Sequence, residues 1–375
     1  MPLGTKRNAG AFLHPEHFYL GAIGLHGQPG RLSSGNGDGL KHAREWLEVR
    51  PQGLYCAPAD VYIDPVRAVP RAIVTHGHSD HARTGHGHVL ATPETLHIMR
   101  CRYGDNSVTN GQVLRYRQTV TCGDVKVTLY PAGHILGSAQ VHLVHGGACA
   151  VISGDYKRRA DPTCAGFEPV PCDFFVTEAT FGLPVFRHPP TAGEIEKLLK
   201  SLVIFPERCH LIGVYALGKC QRLIAELRKA GYDKPIYIHG ALMRLCELYQ
   251  ELGVDLGDIR PVMGVPREAL KGEIVLAPPG ALSDRWSRRL PDVLPCAASG
   301  WMQIRARAKQ RLVELPLVIS DHADWTELTG TMVETGAREV WVTHGREEAL
   351  VYYAQSRGIK AQALSLLGYE EDDGE

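Results

Sequence analysis

Thr75-His76-Gly77-His78-Ser79-Asp80-His81 follows directly on the apolar run Ala72-Ile73-Val74. An apolar run that ends in a glycine-containing polar stretch reads as a β-strand opening into a loop. Three imidazoles and a carboxylate within six positions are costly to bury unless a metal satisfies them. At a strand end, such a loop can turn His76 and His78 to one metal while Asp80 and His81 face a second. The same order of apolar strand, glycine and ligand-type residue recurs at His134 (Tyr130-Pro-Ala-Gly-His134) and at Asp155 (Ile152-Ser-Gly-Asp155). Each alone reads equally well as a turn residue. Together they point to a metal site assembled from strand ends.

The rest of the chain is consistent with an enzyme built around that site. Its 375 residues are 44% hydrophobic, enough for one large domain or two interlocked ones. Lys+Arg and Asp+Glu both number 41, which argues against a generally basic, tail-driven nucleic-acid binder. Five of the 18 histidines fall between His76 and His88, and histidine is the commonest metal ligand and acid-base group near neutral pH. The ten cysteines include no C-x-x-C pair, so zinc ribbons and thioredoxin-type motifs are not expected. They read as reduced, buried small hydrophobes of a cytoplasmic protein. No secretory signal and no run near the ~18 apolar residues of a membrane span is found.

Residues 1–39 are expected to form a disordered extension, because Gly27 to Gly39 is rich in Gly, Ser and Asn with little to bury. Residues 369–375 form an acidic tail. From residue 40 to about 185, short strand-type runs with only short helical patterns between them suggest sheet packed on sheet. From Thr191 helices and strands alternate. Helices are expected over 193–201, 219–230 and 241–252, and strands over 210–215 and 235–238, which implies a parallel sheet with covering helices. Two more strand-helix units follow residue 316.

This order of motifs resembles the metallo-β-lactamase superfamily. Asp64, in Val61-Tyr-Ile-Asp64-Pro, matches the first-motif aspartate that orients a metal-binding histidine there. Glu178, a long insert, His322 (Ser320-Asp-His322-Ala-Asp-Trp) and His344 (Thr343-His344-Gly) are similar to the β-CASP subgroup of nucleases. The wording Ala216-Leu-Gly-Lys-Cys-Gln221 and Ser299-Gly-Trp-Met-Gln-Ile-Arg305 is most like the bacterial DNA-ligase-associated exonucleases. The resemblance runs from about residue 40 to 367.

The resemblance implies an α/β fold: an αββα metallo-β-lactamase sandwich over 40–185 and 316–368, with a β-CASP α/β domain (186–315) inserted to cap the metal site. It implies two zinc ions, with manganese as the alternative metal. His76, His78 and His134 would hold one; Asp80, His81 and His344 would hold the other; Asp155 would bridge them. His322 becomes the general acid with Glu178 on its other ring nitrogen, the rival reading being direct metal ligation by His322. The implied activity is phosphodiester hydrolysis, as trimming of DNA from a 5′ end during repair, beside an ATP-dependent DNA ligase and a helicase. One departure favours RNA. The crosslink-repair DNA nucleases carry an apolar residue, usually Val, where this chain has His344, whereas RNA-processing members have His. An RNA nuclease of the 3′-end-processing or RNase J type therefore stays open, as does a hydrolase of small thioesters or lactams.

Further candidates concern the substrate. Gly213 to Lys219 nearly spells a phosphate-binding loop, but Cys220 replaces the Ser or Thr that would hold magnesium. Lys219 then reads as a phosphate contact at a helix start, or Gly218 simply as the turn into that helix. Between Ala281 and Arg311, seven basic residues stand against two acidic ones, with Trp286 and Trp301 interleaved. That pattern suits a groove tracking a phosphodiester backbone, or equally a solvated face. Ser299, Gly300 and Arg305 are candidate substrate contacts. His86 and His88 are expected on a surface loop, and His142, His145, His188, His210 and His239 in structural roles.

Overall fold

The computed structural model describes residues 42–364. The expected extension at 1–39 and the acidic tail at 369–375 lie outside the described residues. Six strands come first: β1 (Leu47–Arg50), β2 (Gly53–Cys56), β3 (Val61–Ile63), β4 (Arg71–Ile73), β5 (His88–Ala91) and β6 (Gly111–Val113). They form one sheet in sequence order, antiparallel from β1 to β3 and parallel from β3 onward. Between β5 and β6 runs α1 (Pro93–Tyr103), eleven residues long, in a region that the sequence reads as strand with only short helical patterns. Its start carries a sufficient local signal: Thr92 accepts from the Thr95 N–H as N-cap, and Pro93 occupies the first turn.

A second sheet begins with β7 (Thr119–Cys122), β8 (Val125–Pro131), β9 (Ala139–His145), β10 (Ala148–Ile152) and β11 (Phe174–Ala179). The chain then builds a third sheet before returning. This third sheet contains β12 (Cys209–Gly213), β13 (Ile236–Ile238), β14 (Ile259–Pro261), β15 (Ile274–Ala277), β16 (Val293–Ala298) and β17 (Leu315–Leu317). Its order is β14-β13-β15-β12-β16-β17 and all its pairings are parallel, as the alternating pattern predicts. It carries α2 (Thr191–Ile204), α3 (Lys219–Lys229) and α4 (Gly240–Glu251), with the short α5 (Arg305–Gln310) before β17. The third sheet therefore extends two residues beyond the boundary at 315 drawn from sequence. After α6 (Trp325–Glu334), β18 (Glu339–Gly345) rejoins the second sheet beside β11, followed by α7 (Glu347–Ser356) and β19 (Lys360–Ala363).

The first two sheets face each other. Leu54, Ile63 and Ile73 pack with Val127, Leu129, Val141 and Val176 in one core. On the outer faces, α1 covers the first sheet through Leu96 and Met99, while α6 and α7 cover the second through Leu328, Met332, Leu350 and Ala354. The layers are thus helix, sheet, sheet, helix. The third sheet packs its own core against α2, α3 and α4, and this core takes in Ile98 of α1 and Ile135. All ten cysteines are free. No described helix is long and apolar enough to cross a membrane.

His86 departs from the expected surface placement. It is buried, and its Nδ1 accepts the Val69 N–H at 3.3 Å, so the ring closes the turn into β5. His88 opens β5 and is exposed. Burial of His86 is a packing outcome that local polarity does not encode.

A buried ionic cluster ties α3 to the loops of the other sheets. Arg222 donates to the Ser320 carbonyl, to Asp321 Oδ1 (3.1 Å) and to Thr191 Oγ1 (2.8 Å), and its Nε lies 3.5 Å from Asp161. Lys157 pairs with the same Asp161 and stands 4.0 Å from Asp321. A fully buried charge left without its partner is strongly destabilising. Arg222→Ala is expected to cost about 3–5 kcal/mol, read as a lowered midpoint in urea denaturation.

Candidate metal centre and active site

Three loops at the strand ends deliver the first group of ligands. After β4, the chain turns tightly, with the Ala82 and His81 N–H groups donating to the His78 carbonyl. After β8, Gly133 and Gly137 take left-handed φ values of 73° and 80°, and Ser138 Oγ accepts from the His134 and Ile135 N–H groups. After β10, Gly154 (φ 55°) packs so close to Thr75 that a Cβ would stand 2.8 Å from it. These constraints bring His76, His78, His134 and Asp155 within 4.8 Å of one another.

The tautomers decide what this group can do. His78 Nε2 meets the Leu217 carbonyl at 3.2 Å and His134 Nδ1 meets the Asp321 carbonyl at 2.8 Å. A carbonyl only accepts, so both outward nitrogens carry the proton. The Thr75 hydroxyl donates to Asp64 Oδ2 at 2.6 Å and so accepts from His76 Nδ1 at 3.0 Å. All three inward nitrogens are therefore lone pairs. They lie 3.1 Å (His76 Nε2 to His78 Nδ1) and 2.9 Å (His78 Nδ1 to His134 Nε2) apart, near the ~3.3 Å edge of a tetrahedral site with metal–nitrogen bonds of about 2 Å. Lone pairs so placed repel unless a cation stands between them. Burial and the neighbouring His76 push His78 down to about 3, so it does not relieve the crowding by protonation. The donor set fits a divalent metal.

A second group joins the first through Asp155. Its Oδ2 is 3.3 Å from His76 Nε2, 3.6 Å from His134 Nε2 and 3.5 Å from His81 Nε2, and its Oδ1 is 3.8 Å from His344 Nδ1. Burial would raise its pKa, but His81 and His322 outweigh that and hold it well below the usual carboxylate range. Asp80 Oδ2 reaches His81 Nε2 at 3.4 Å. His81, Asp155 and His344 form a second set with metal-ligand spacing. His344 arrives by a β-bulge. Glu178 pairs with Thr343 and Ala179 with Gly345, so His344 is the extra residue, with φ 56°. Asp64, also at positive φ (43°), accepts from the Thr75 N–H (2.7 Å), the Thr75 hydroxyl and His81 Nδ1 (2.7 Å). It orients His76 indirectly and His81 directly.

His322 stands at the edge of these groups, its ring 4.6 Å from that of His134. Its Nδ1 lies 2.9 Å from Glu178 Oε2, and Glu178 is anchored by the Tyr156 N–H at 2.8 Å. Burial would lower its pKa, yet the Glu178 and Asp155 carboxylates raise it to about 9. Asp155, Glu178 and His322 also satisfy metal-ligand spacing. A cavity of about 500 Å³ opens over the site. Lys219, Ser299 and Gly300 line it, as do Tyr215, Trp301 and Asp321. Lys219 is itself buried, 3.7 Å from Asp321 Oδ2. Arg305 does not line the cavity; the turn at 300–303 folds Trp301 inward and carries Arg305 to the exposed start of α5. Cys220 is buried 3.8 Å from Cys246, away from any role in holding magnesium.

Sequence reading passed over Asp321, although it sits inside Ser320-Asp-His322. Its carbonyl fixes the His134 tautomer and its carboxylate pairs with Arg222 and Lys219. Arg102, on the unexpected α1, also lines the cavity.

No family model matches the chain. A protein of Opitutus terrae called "Probable DNA ligase" is 28% identical over 324 residues, covering 83% of this chain and 30% of that protein. "Cleavage and polyadenylation specificity factor subunit 3" of Dictyostelium discoideum is 33% identical, over 38% of this chain and 19% of the relative. "Endoribonuclease YSH1" of Gibberella zeae is 30% identical, over 43% of this chain and 20% of the relative. In sequence the chain is similar to each of these three proteins. It spans less than a third of the length of each of these three relatives. A crystal structure of a protein of unknown function from Enterococcus faecalis is similar in fold, with a TM-score of 0.50 at 13% identity, covering 81% of this chain and 80% of that one. Asp64 is the buried carboxylate behind the ligands. Asp64→Asn is expected to weaken metal binding about 10–100-fold, measured by competition with a chromogenic chelator.

Proposed function

We propose that the chain is a two-zinc nuclease that hydrolyses phosphodiester bonds, and that it trims DNA from a 5′ end during repair. The observation that carries this reading is Asp155, whose two oxygens reach both histidine groups at once. We assign one zinc to His76, His78 and His134, the other to Asp80, His81 and His344, and the bridge to Asp155, with manganese as a substitute metal. Bound there, the metals would supply Lewis acidity toward a phosphodiester and activate the attacking water. The layered sheets support a metallo-β-lactamase sandwich over 40–185 and 316–368, and the third sheet supports a β-CASP insert over 186–315.

The chain's own residues account for the remaining chemistry. His322 commits Nδ1 to Glu178, so a proton held at Nε2 is available to the leaving oxygen. The Glu178 carboxylate beside Nδ1 favours the protonated ring, whose pKa is raised. Lys219, Ser299 and Gly300 at the cavity wall would meet the phosphate backbone. The likeness to a protein called "Probable DNA ligase" supports DNA as substrate and a DNA ligase as partner; that this ligase is ATP-dependent and works with a helicase is part of the proposal. Ten free cysteines support a cytoplasmic location.

RNA is the second reading. His344 completes the second ligand set in the manner of the RNA-processing members, and two of the relatives are called an endoribonuclease or a polyadenylation factor. Equal amounts of end-labelled DNA, RNA and a thioester, with zinc or manganese, separate the readings. DNA is expected to be cut fastest; preference for RNA would promote the second reading, and cleavage of the thioester alone would sink both.

Asp80→Ala or Asp155→Ala should abolish cleavage while circular dichroism stays that of the wild type; full activity in either would end the two-metal assignment. His344→Val should lower the metal-to-protein ratio, by mass spectrometry, from about two toward one. His322→Ala should lose about 10²–10⁴-fold in kcat at unchanged metal content; loss of a metal instead would make His322 a ligand.

A further inference from the structure

Gly77 separates two metal-site histidines, and the reason for its missing side chain lies in α1. A Cβ at Gly77 would stand 2.4 Å from Ile98 Cγ2. The loop and the helix therefore pack at near-backbone distance. One turn further along the same face of α1, at i+4, Arg102 donates from Nη1 to the Gly77 carbonyl at 2.6 Å. The close approach thus sets a guanidinium beside the loop that carries His76 and His78. Arg102 is partly exposed and lines the cavity with His78, Asp80 and Lys219.

The bond to Gly77 uses only part of the donor capacity of Arg102, whose side chain lines the cavity. Among the described residues the hydrogen bond to Gly77 is the one found for its guanidinium, no carboxylate pairs with it, and the Tyr103 ring lies 5.1 Å from it. Lys219, the other cation at this wall, is already matched by Asp321 at 3.7 Å. A guanidinium can spend one N–H on a carbonyl and still present a two-donor edge to a phosphate. The bond to Gly77 costs one donor and holds the remaining edge in place.

We propose that Arg102 forms a phosphate subsite of this cavity, binding a phosphate of the substrate next to the bond that is cut. A basic residue in the last turn of a helix is also favoured by the helix dipole alone, and a single bond to Gly77 could serve only to brace the loop. That bracing role would act on stability and metal loading. It would leave salt-dependent substrate affinity untouched. The identity of the ligand as a nucleic-acid phosphate rests on the nuclease reading; the subsite itself does not.

Arg102→Gln keeps a donor for the Gly77 carbonyl and removes the charge. In metal-loaded protein it should raise KM for single-stranded DNA about tenfold, with a smaller change in kcat. The slope of log KM against log salt should fall by about 0.7, the loss of one phosphate contact on a single strand. Inorganic phosphate, titrated into the same protein by calorimetry, should bind the variant at least about fivefold more weakly than wild type. Should the glutamine variant fold poorly, Arg102→Met, which keeps the aliphatic stem, carries the same expectations. Unchanged salt slope and unchanged phosphate affinity would overturn the proposal. If the wild type cuts no nucleic acid, the nuclease reading falls, and the phosphate titration alone decides the subsite.

Discussion

Three imidazole nitrogens with their lone pairs turned inward and 2.9–3.1 Å apart, two on buried rings and the third on the half-buried His78, are the constraint around which the molecule is arranged. None can donate to another, because each ring has already placed its proton on an outward acceptor: Thr75, the Leu217 carbonyl and the Asp321 carbonyl. The acceptors matter as much as the ligands. Two of the three belong to segments far along the chain, so the metal site acquires its electronic character only when the third sheet and the loop before α6 have docked. Asp155 lies against the same nitrogens and against His81 and His344, which extends one demand for positive charge into two adjoining ones.

That docking is held by charge as well as by apolar packing. Asp321 accepts from Arg222, faces Lys219 and lends its carbonyl to His134, so a residue without contact to the proposed metals links α3 to a ligand's tautomer. Apolar packing runs in parallel, with Ile98 and Ile135 buried among the side chains of α2, α3 and α4. A cavity closed from several directions in this way gives each wall a separate origin in the sequence. This suits a substrate whose backbone must be gripped on both sides of the reacting bond.

Legibility in the sequence followed the range of the forces involved. The loop Thr75–His81, His134 and Asp155 could be found because each sits where an apolar run stops, and period-two burial is a local property. The alternation of β12 and β13 with α2, α3 and α4 could be read for the same reason, whereas β14, β15 and β16 were not. His86 could not: a histidine beside glycines looks solvated until the turn closes over it and Val69 donates to it. Helix α1 was obscured because its residues carry little amphipathic contrast, although Thr92 and Pro93 mark its start. With α1 unrecognised, Arg102 had no address. Arg305 attracted notice through its charge alone and is not among the residues that line the cavity.

The amino-acid sequence by itself determined the inventory: which residues can ligate a metal, that they stand at strand ends, that a parallel sheet interrupts the series, and which family that order resembles. Local pattern suffices for these because burial periodicity and turn chemistry act over a few residues. Only the tertiary structure decided which ring nitrogens face inward, that a bulge at Glu178 and Ala179 swings His344 toward Asp155, and that Asp64 braces His81 while Glu178 braces His322. Apart from Thr75 beside His76, those outcomes depend on hydrogen-bond acceptors and carboxylates brought in from 11 to 187 residues away. Partners at that range are specified by packing as a whole, and no stretch of sequence names them.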